Sequence, residues 1–376
     1  VGDTVLVAPG TYVENLNFLG KDIVVKSEAG PDVTTLDGSG TKGSVVLFRS
    51  GEGAGAVLEG FRITGGVGEL LGEADFTRSG GGISIGDSSP TIRNNVIENN
   101  SAGSYGGGIV AAGTGPGPRL QGNVIRNNTC LSSGGGIAWS SSGLIDGNLV
   151  EKNTAIRGDG GGIWILNSVP PIDLEISNNR IKSNRAGDHG GGVIAVCAIS
   201  DELNIHHNLV AGNEAGGSSG GDFSGGGFWV SGGTCWIHHN TVVGNAGRGG
   251  DASYGGGGFA LRAPGVYYFD HNLVAFATYG GGMNCEDGVN IVFQDNLGWD
   301  NIEGDGNGGC ADWTSVNGGV VADPLLCDRQ QGNYHVAEDS PALTQLGGPI
   351  GAYPDPGCPP VPVERITWGQ LKARYR

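Results

Sequence analysis

Apolar residues recur along this chain in short runs separated by polar turns, a pattern that predicts many brief strands and no long helix. The form apolar-x-x-Asn-x-apolar returns eight times, with its asparagine at Asn95, Asn123, Asn148, Asn179, Asn208, Asn240, Asn272 and Asn296. Five residues on, a second column reads Asn100, Asn128, Asn153, Asn184, Asn213 and Asn245, breaks at Ala277 and resumes at Asn301. A glycine triplet followed by an apolar residue starts at Gly80, Gly106, Gly134, Gly160, Gly190, Gly225, Gly256 and Gly280, at intervals of roughly 24 to 35 residues. Two apolar columns flank the asparagines. One runs Ile92, Leu120, Ile145, Ile176, Ile205, Ile237, Phe269, Phe293, and the other Ile97, Ile125, Val150, Ile181, Val210, Val242, Val274.

A coil of short strands cannot bury its apolar side alone, but coils stacked about 4.8 Å apart pair every backbone amide with the next coil and place like side chains over one another. Asparagine suits the bends, because it tolerates left-handed backbone and its carboxamides can hydrogen-bond in a ladder. The pattern therefore predicts an all-β, right-handed parallel β-helix with Asn ladders and about eleven or twelve coils. Residues 1–65 read as earlier coils, with strands at Thr4–Val7, Ile23–Lys26, Val45–Phe48 and Val57–Ile63 around the turn Pro9-Gly10-Thr11. Residues 1–353 are expected to form the solenoid, 354–363 a Pro-rich linker, and 364–376 a short basic tail. Ile366, Trp368, Leu371 and Tyr375 in that tail fall at helical spacing, which fits a cap over the last coil or, alternatively, a sorting or anchoring segment.

The stretch GDTVLVAPGTYVENLNF, followed by the GGGI and IxxNxI repeats, resembles the opening of bacterial right-handed β-helix repeat proteins of the pectin-lyase-like superfamily. Asp323-Pro324 to Tyr353 resembles their closing coil. The resemblance implies the fold over nearly the whole chain. It implies no one activity, since the superfamily holds polysaccharide lyases, glycoside hydrolases, adhesins and surface proteins. Its polygalacturonase-type members carry paired Asp, then GHG, then RIK; here Arg180-Ile181-Lys182 precedes Asp188-His189-Gly190 and the paired-Asp motif is missing.

Composition narrows the partners. A net charge of −17 repels phosphate backbones and anionic membranes, which excludes nucleic acid and suits calcium or neutral polymers. Seven cysteines without a CxxC pair are too few for a disulfide scaffold and give no zinc ribbon; Cys310 and Cys327 are expected to close one loop. The acidic, Gly- and Asn-rich chain with a single methionine reads as secreted or displayed on a bacterial cell surface, and as a monomer. No signal peptide or spanning apolar run is present, and Val1 in place of an initiator methionine reads as a mature or trimmed product.

Candidate chemistry lies in columns that should face outward. After the triplets, Trp164 and Trp229 fall two coils apart, about 9 to 10 Å, where flat rings could stack on successive sugars of a polysaccharide or cell-surface glycan. A loop folding over them as a satellite cluster is the plainer reading. Trp236 and Tyr268 are further candidate sugar contacts. His206, His238 and Asp270 occupy one column in three successive coils, fit for an acid/base pair or a metal, although stacked histidines often serve packing alone. His207, His239 and His271 stand beside them toward the turn, where a structural role is expected. Longer loops carry Asp75, Asp222 and Asp251, of which Asp222 and Asp251 could meet at a Ca²⁺ ion; solvated loops are the alternative, and Asp159 and Asp188 fit that reading too. Three functions stay open: a polysaccharide-binding protein, a lyase or hydrolase, and a noncatalytic adhesin.

Overall fold

The computed structural model describes residues 2–70, 78–166, 171–217, 224–248, 255–310, 313–344 and 348–358. The chain winds as a right-handed parallel β-solenoid whose three long sheets contain 11, 11 and 12 strands. The first sheet holds strands such as Ile163–Leu166, the second Asp173–Ser177 and the third Arg180–Lys182. Six two-residue strands, from Ser101–Ala102 to Ala246–Gly247, make a narrow fourth strip.

The register follows the repeat. Ile145 pairs with Ile176, Ile176 with Ile205, and Ile205 with Ile237, so identical positions stack coil on coil. Both apolar columns line a continuous core from which solvent is excluded, apart from partly buried Phe293 at the C-terminal end. Between the second and third sheets the first asparagine column forms an unbroken ladder. Asn148 donates its backbone N–H and its carboxamide to Asn179 Oδ1, and Asn179 does the same to Asn208, at 2.9 to 3.0 Å. Each carboxamide also reaches a main-chain carbonyl, as Asn179 does with Ile145 O at 2.7 Å. This pairing answers the donors and acceptors that a buried bend would otherwise strand. The second ladder does the same, and past Ala277 the backbone N–H of that residue donates to Asn301 Oδ1 at 3.0 Å.

The triplets mark where backbone meets backbone. A Cβ on Gly135 would stand 2.5 Å from Gly161 O and from Thr154 C, so only glycine lets these turns stack.

The stacking stops at Val320–Val321. Beyond it, an antiparallel pair, Leu326–Asp328 with Asn333–Val336, and the helical turn Pro341–Thr344 fold back against the third sheet. There Val336, Ala342 and Ile350 pack on Val243, Leu273, Ala275 and Leu297. Trp313 closes the end of the main core, its ring edge-on to Phe269. The disulfides are Cys285–Cys310 and Cys327–Cys358, which corrects the expected Cys310–Cys327 loop. The fold-back brings Cys358 to the hairpin, a contact no repeat period encodes. The basic tail at 364–376 lies outside the described residues.

Candidate functional site

Residues that point away from the core differ greatly between the first and second sheets. On the first sheet the column after the triplets is mostly sealed: Ser84, Val110, Ala138, Ile194, Ala260 and Asn284 are buried. This corrects the expectation of an open column, and the reason is the turn before each strand. A Cβ on Gly80 would strike Val110, one on Gly134 Ala138, and one on Gly190 Ile194, so the glycine backbone lies directly over them. Trp164 and Trp229 remain partly exposed. Tyr105 stacks on Trp164 at 4.9 Å with an interplanar angle of 3°, and His189 tilts over Trp229 at 5.7 Å. Turn residues thus cover part of both rings. Residues 167–170 of the loop expected to cover them are outside the described residues.

At the same turns Asp159, Asp188 and His189 come within 4.8 Å of one another. His189 Nδ1 lies 3.0 Å from Asp159 Oδ1 and 3.5 Å from Asp188 Oδ1. Burial alone would lower the His189 pKa, but the hydrogen bond to Asp159 and the charges of Asp188 and Asp159 outweigh it and hold it above the ordinary value. The signal for this convergence was available, since Asp159 and His189 each directly precede a triplet in adjacent coils.

The second sheet is more open, its outward residues partly or fully exposed apart from buried Ser177. Pleating sends every other residue outward, so one column reads Leu144, Glu175, Asn204, Trp236, Tyr268, Val292, and a second Asp146, Ser177, His206, His238, Asp270, Gln294. Trp236 and Tyr268 stack with centroids 5.9 Å apart, and Tyr268 and Val292 are exposed. Toward the N-terminal coils the strip opens into a depression of about 390 Å³ bordered by Arg119, Asp173 and Glu175.

Five of the seven histidines gather on this sheet and its turn. His206 stacks on His238 at 4.9 Å; His207, His239 and His271 form a second stack at 4.9 and 4.7 Å. The two stacks stand nearly perpendicular, with His238 and His239 at 86°. His206 Nδ1 faces His207 Nδ1 at 2.9 Å, and His238 Nδ1 faces His239 Nδ1 at 3.1 Å. On the far side of the rings, His206 Nε2 meets Glu175 Oε1 at 3.1 Å and His238 Nε2 meets Asn204 Oδ1 at 3.2 Å. Burial, reinforced by neighbouring histidines, pushes His238 and His239 down to about 4 and lowers His207. Asp222 and Asp251, the expected Ca²⁺ ligands, lie outside the described residues, as does Asp75.

A pH dependence follows. As pH falls from about 6.5 to about 4, an unfolded chain takes up protons that folded His238 and His239 refuse, so their contribution to stability is lost over that window. His189, with its raised pKa, works in the opposite sense, against the large downward shifts of His238 and His239. Thermal melts of chelator-treated protein should therefore show a lower midpoint at about pH 4.5 than at about pH 7. His239→Asn should reduce the difference; an equal drop in both proteins would remove the histidines as its source.

Among known proteins, the family model described as "Right handed beta helix region" matches residues 37–246. No curated protein matches the sequence. Among solved structures, the PL6 family alginate lyase AlyGC is similar at 16% identity and a TM-score of 0.35, over 96% of this chain and 56% of that one. This chain thus spans little more than half the length of that protein, and its own residues must carry any functional reading. No helix among the described residues is long and apolar enough to cross a membrane.

Proposed function

The chain belongs to the right-handed β-helix family, and on that footing we propose that it is an exported protein that holds an extended polysaccharide across its coils, on the outward face of the second sheet. The observation that carries this reading is the continuity of that face. From Arg119 to Val292 it crosses seven neighbouring strands, about 29 Å at about 4.8 Å per coil, and among the described residues no glycine turn seals it as the first sheet is sealed. Its chemistry suits sugars. Trp236 and Tyr268 offer apolar ring surface to the carbon side of a pyranose, while Asn204, Glu175, Asp173 and Arg119 supply donors and acceptors for hydroxyls. The net charge of −17 disfavours phosphate polymers and favours a neutral chain.

Affinity should then grow with oligosaccharide length until the strip is filled. Calorimetry with a graded series cut from a polysaccharide that retards the protein in affinity electrophoresis would measure this. Affinity independent of length would indicate a single-sugar pocket and contradict the proposal.

A second reading rests on the Asp159, Asp188 and His189 cluster beside Trp229, where two carboxylates and an imidazole of raised pKa converge as a lyase or hydrolase would require. New reducing ends or unsaturated products that vanish in Asp159→Asn would establish it. Intact polymer after prolonged incubation would leave binding alone.

A further inference from the structure

We infer that His238, His239 and Asp270 form a binding site for one divalent transition-metal ion of the Zn²⁺ or Cu²⁺ class, separate from any role of this face in holding a glycan.

Three observations converge. The ligand atoms of these three side chains already lie within 4.8 Å of one another, His238 and Asp270 at paired positions of adjacent strands and His239 in the turn that follows the first of them. His238 Nδ1 and His239 Nδ1 face each other at 3.1 Å, close to the edge of about 3.3 Å that two nitrogens span on tetrahedral zinc with bonds of about 2.0 to 2.1 Å. Nitrogen with a single carboxylate suits zinc and copper better than calcium, which prefers six to eight oxygens.

The second observation is the tautomer. An amide oxygen can only accept, so Asn204 Oδ1, 3.2 Å from His238 Nε2, favours the tautomer with its proton on Nε2 and a lone pair on Nδ1, the atom that faces His239. An outer-shell acceptor that orients a ligating imidazole is a recurrent feature of metal sites. In that tautomer, without a metal, the 3.1 Å contact is satisfied by His239 Nδ1–H donating to the lone pair. With one, His239 turns its proton to Nε2 and both Nδ1 atoms bind.

The third is backbone cost. His239 and His271 have φ of 53° and 50°, in the left-handed region, where other coils place Asn94, Gly122, Gly147, Asn178 or Asp295. Histidine in these turns brings an imidazole where glycine or asparagine would satisfy the backbone as well or better.

The cluster of Asp159, Asp188 and His189 is equally compact, but there the imidazole Nδ1 is engaged by Asp159 at 3.0 Å, the arrangement of an ion pair.

The test uses the untagged full chain, stripped with chelator and titrated with Zn²⁺ by calorimetry at neutral pH, followed by electron paramagnetic resonance of the Cu²⁺ form. The expected result is one saturable site, weakened at least about tenfold in His239→Asn and in Asp270→Asn and about tenfold in Asn204→Ala, with nitrogen splitting from two imidazoles falling to one in His239→Asn. Asparagine already occupies the equivalent turn at Asn178 with φ of 57°, so that variant retains the backbone, and circular dichroism of the metal-free form checks it. Absence of saturable Zn²⁺ binding, unchanged affinity in His239→Asn, or loss confined to an Asp159→Asn/His189→Asn variant would each overturn the inference.

Discussion

Replacing Asn179 with alanine should cost the fold about 3 to 5 kcal/mol, far more than the loss of one ordinary hydrogen bond. The side chain sits at the middle of the first ladder and is buried. Its Oδ1 accepts from both Asn148 N and Asn148 Nδ2, and its Nδ2 donates to Ile145 O and Asn208 Oδ1. Alanine leaves the Asn148 N–H without this acceptor and the Ile145 carbonyl without this donor, inside a bend buried from solvent. Each buried group left unpaired costs about 1 to 3 kcal/mol. Because each coil of a solenoid is stabilised by its neighbours, the damage should also uncouple the halves on either side. Denaturant unfolding should shift to lower midpoint and broaden or split into two steps. A sharp transition at the wild-type midpoint would show that the ladder contributes little.

Gly135→Val should do greater harm, through sterics. The Cβ would meet Gly161 O and Thr154 C at 2.5 Å and Thr154 N at 2.6 Å, all of them backbone and none able to swing aside. To admit it, two coils must separate and their amide pairs break, a loss of more than about 4 kcal/mol that should leave little soluble protein. Gly86→Ala is the matched control, since its Cβ would find Arg49 Cβ at 3.8 Å, an ordinary contact. Soluble yield and melting midpoint of the two variants measure the contrast. Wild-type stability of Gly135→Val would mean that the triplets are not needed for close stacking.

What could be read from the sequence was whatever recurs with the coil. The asparagines and the two apolar columns declare themselves because stacking repeats the same environment, and Asn179 and Ile176 stand where the period puts them. Trp236, Tyr268, His206, His238 and Asp270 share a face for the same reason, since pleating and register follow from strand spacing. What the turns cover, and how side chains within them orient, was illegible. The column of Val110 and Ile194 points away from the core yet is buried, because glycine backbone folds over it. His239 reads as a turn filler, and its facing of His238 depends on ring orientation that spacing does not encode. The disulfide partners Cys327 and Cys358 meet through a single fold-back at the end of the solenoid.

The most direct test of the account is a glycan array probed with wild type, Trp236→Ala/Tyr268→Ala and Trp164→Ala/Trp229→Ala. Binding of an extended polysaccharide by wild type, lost in the first variant and kept in the second provided that it folds, is the predicted result. Loss confined to the second variant would place the polymer on the first sheet, and silence of the wild type on every glycan would contradict polysaccharide binding altogether.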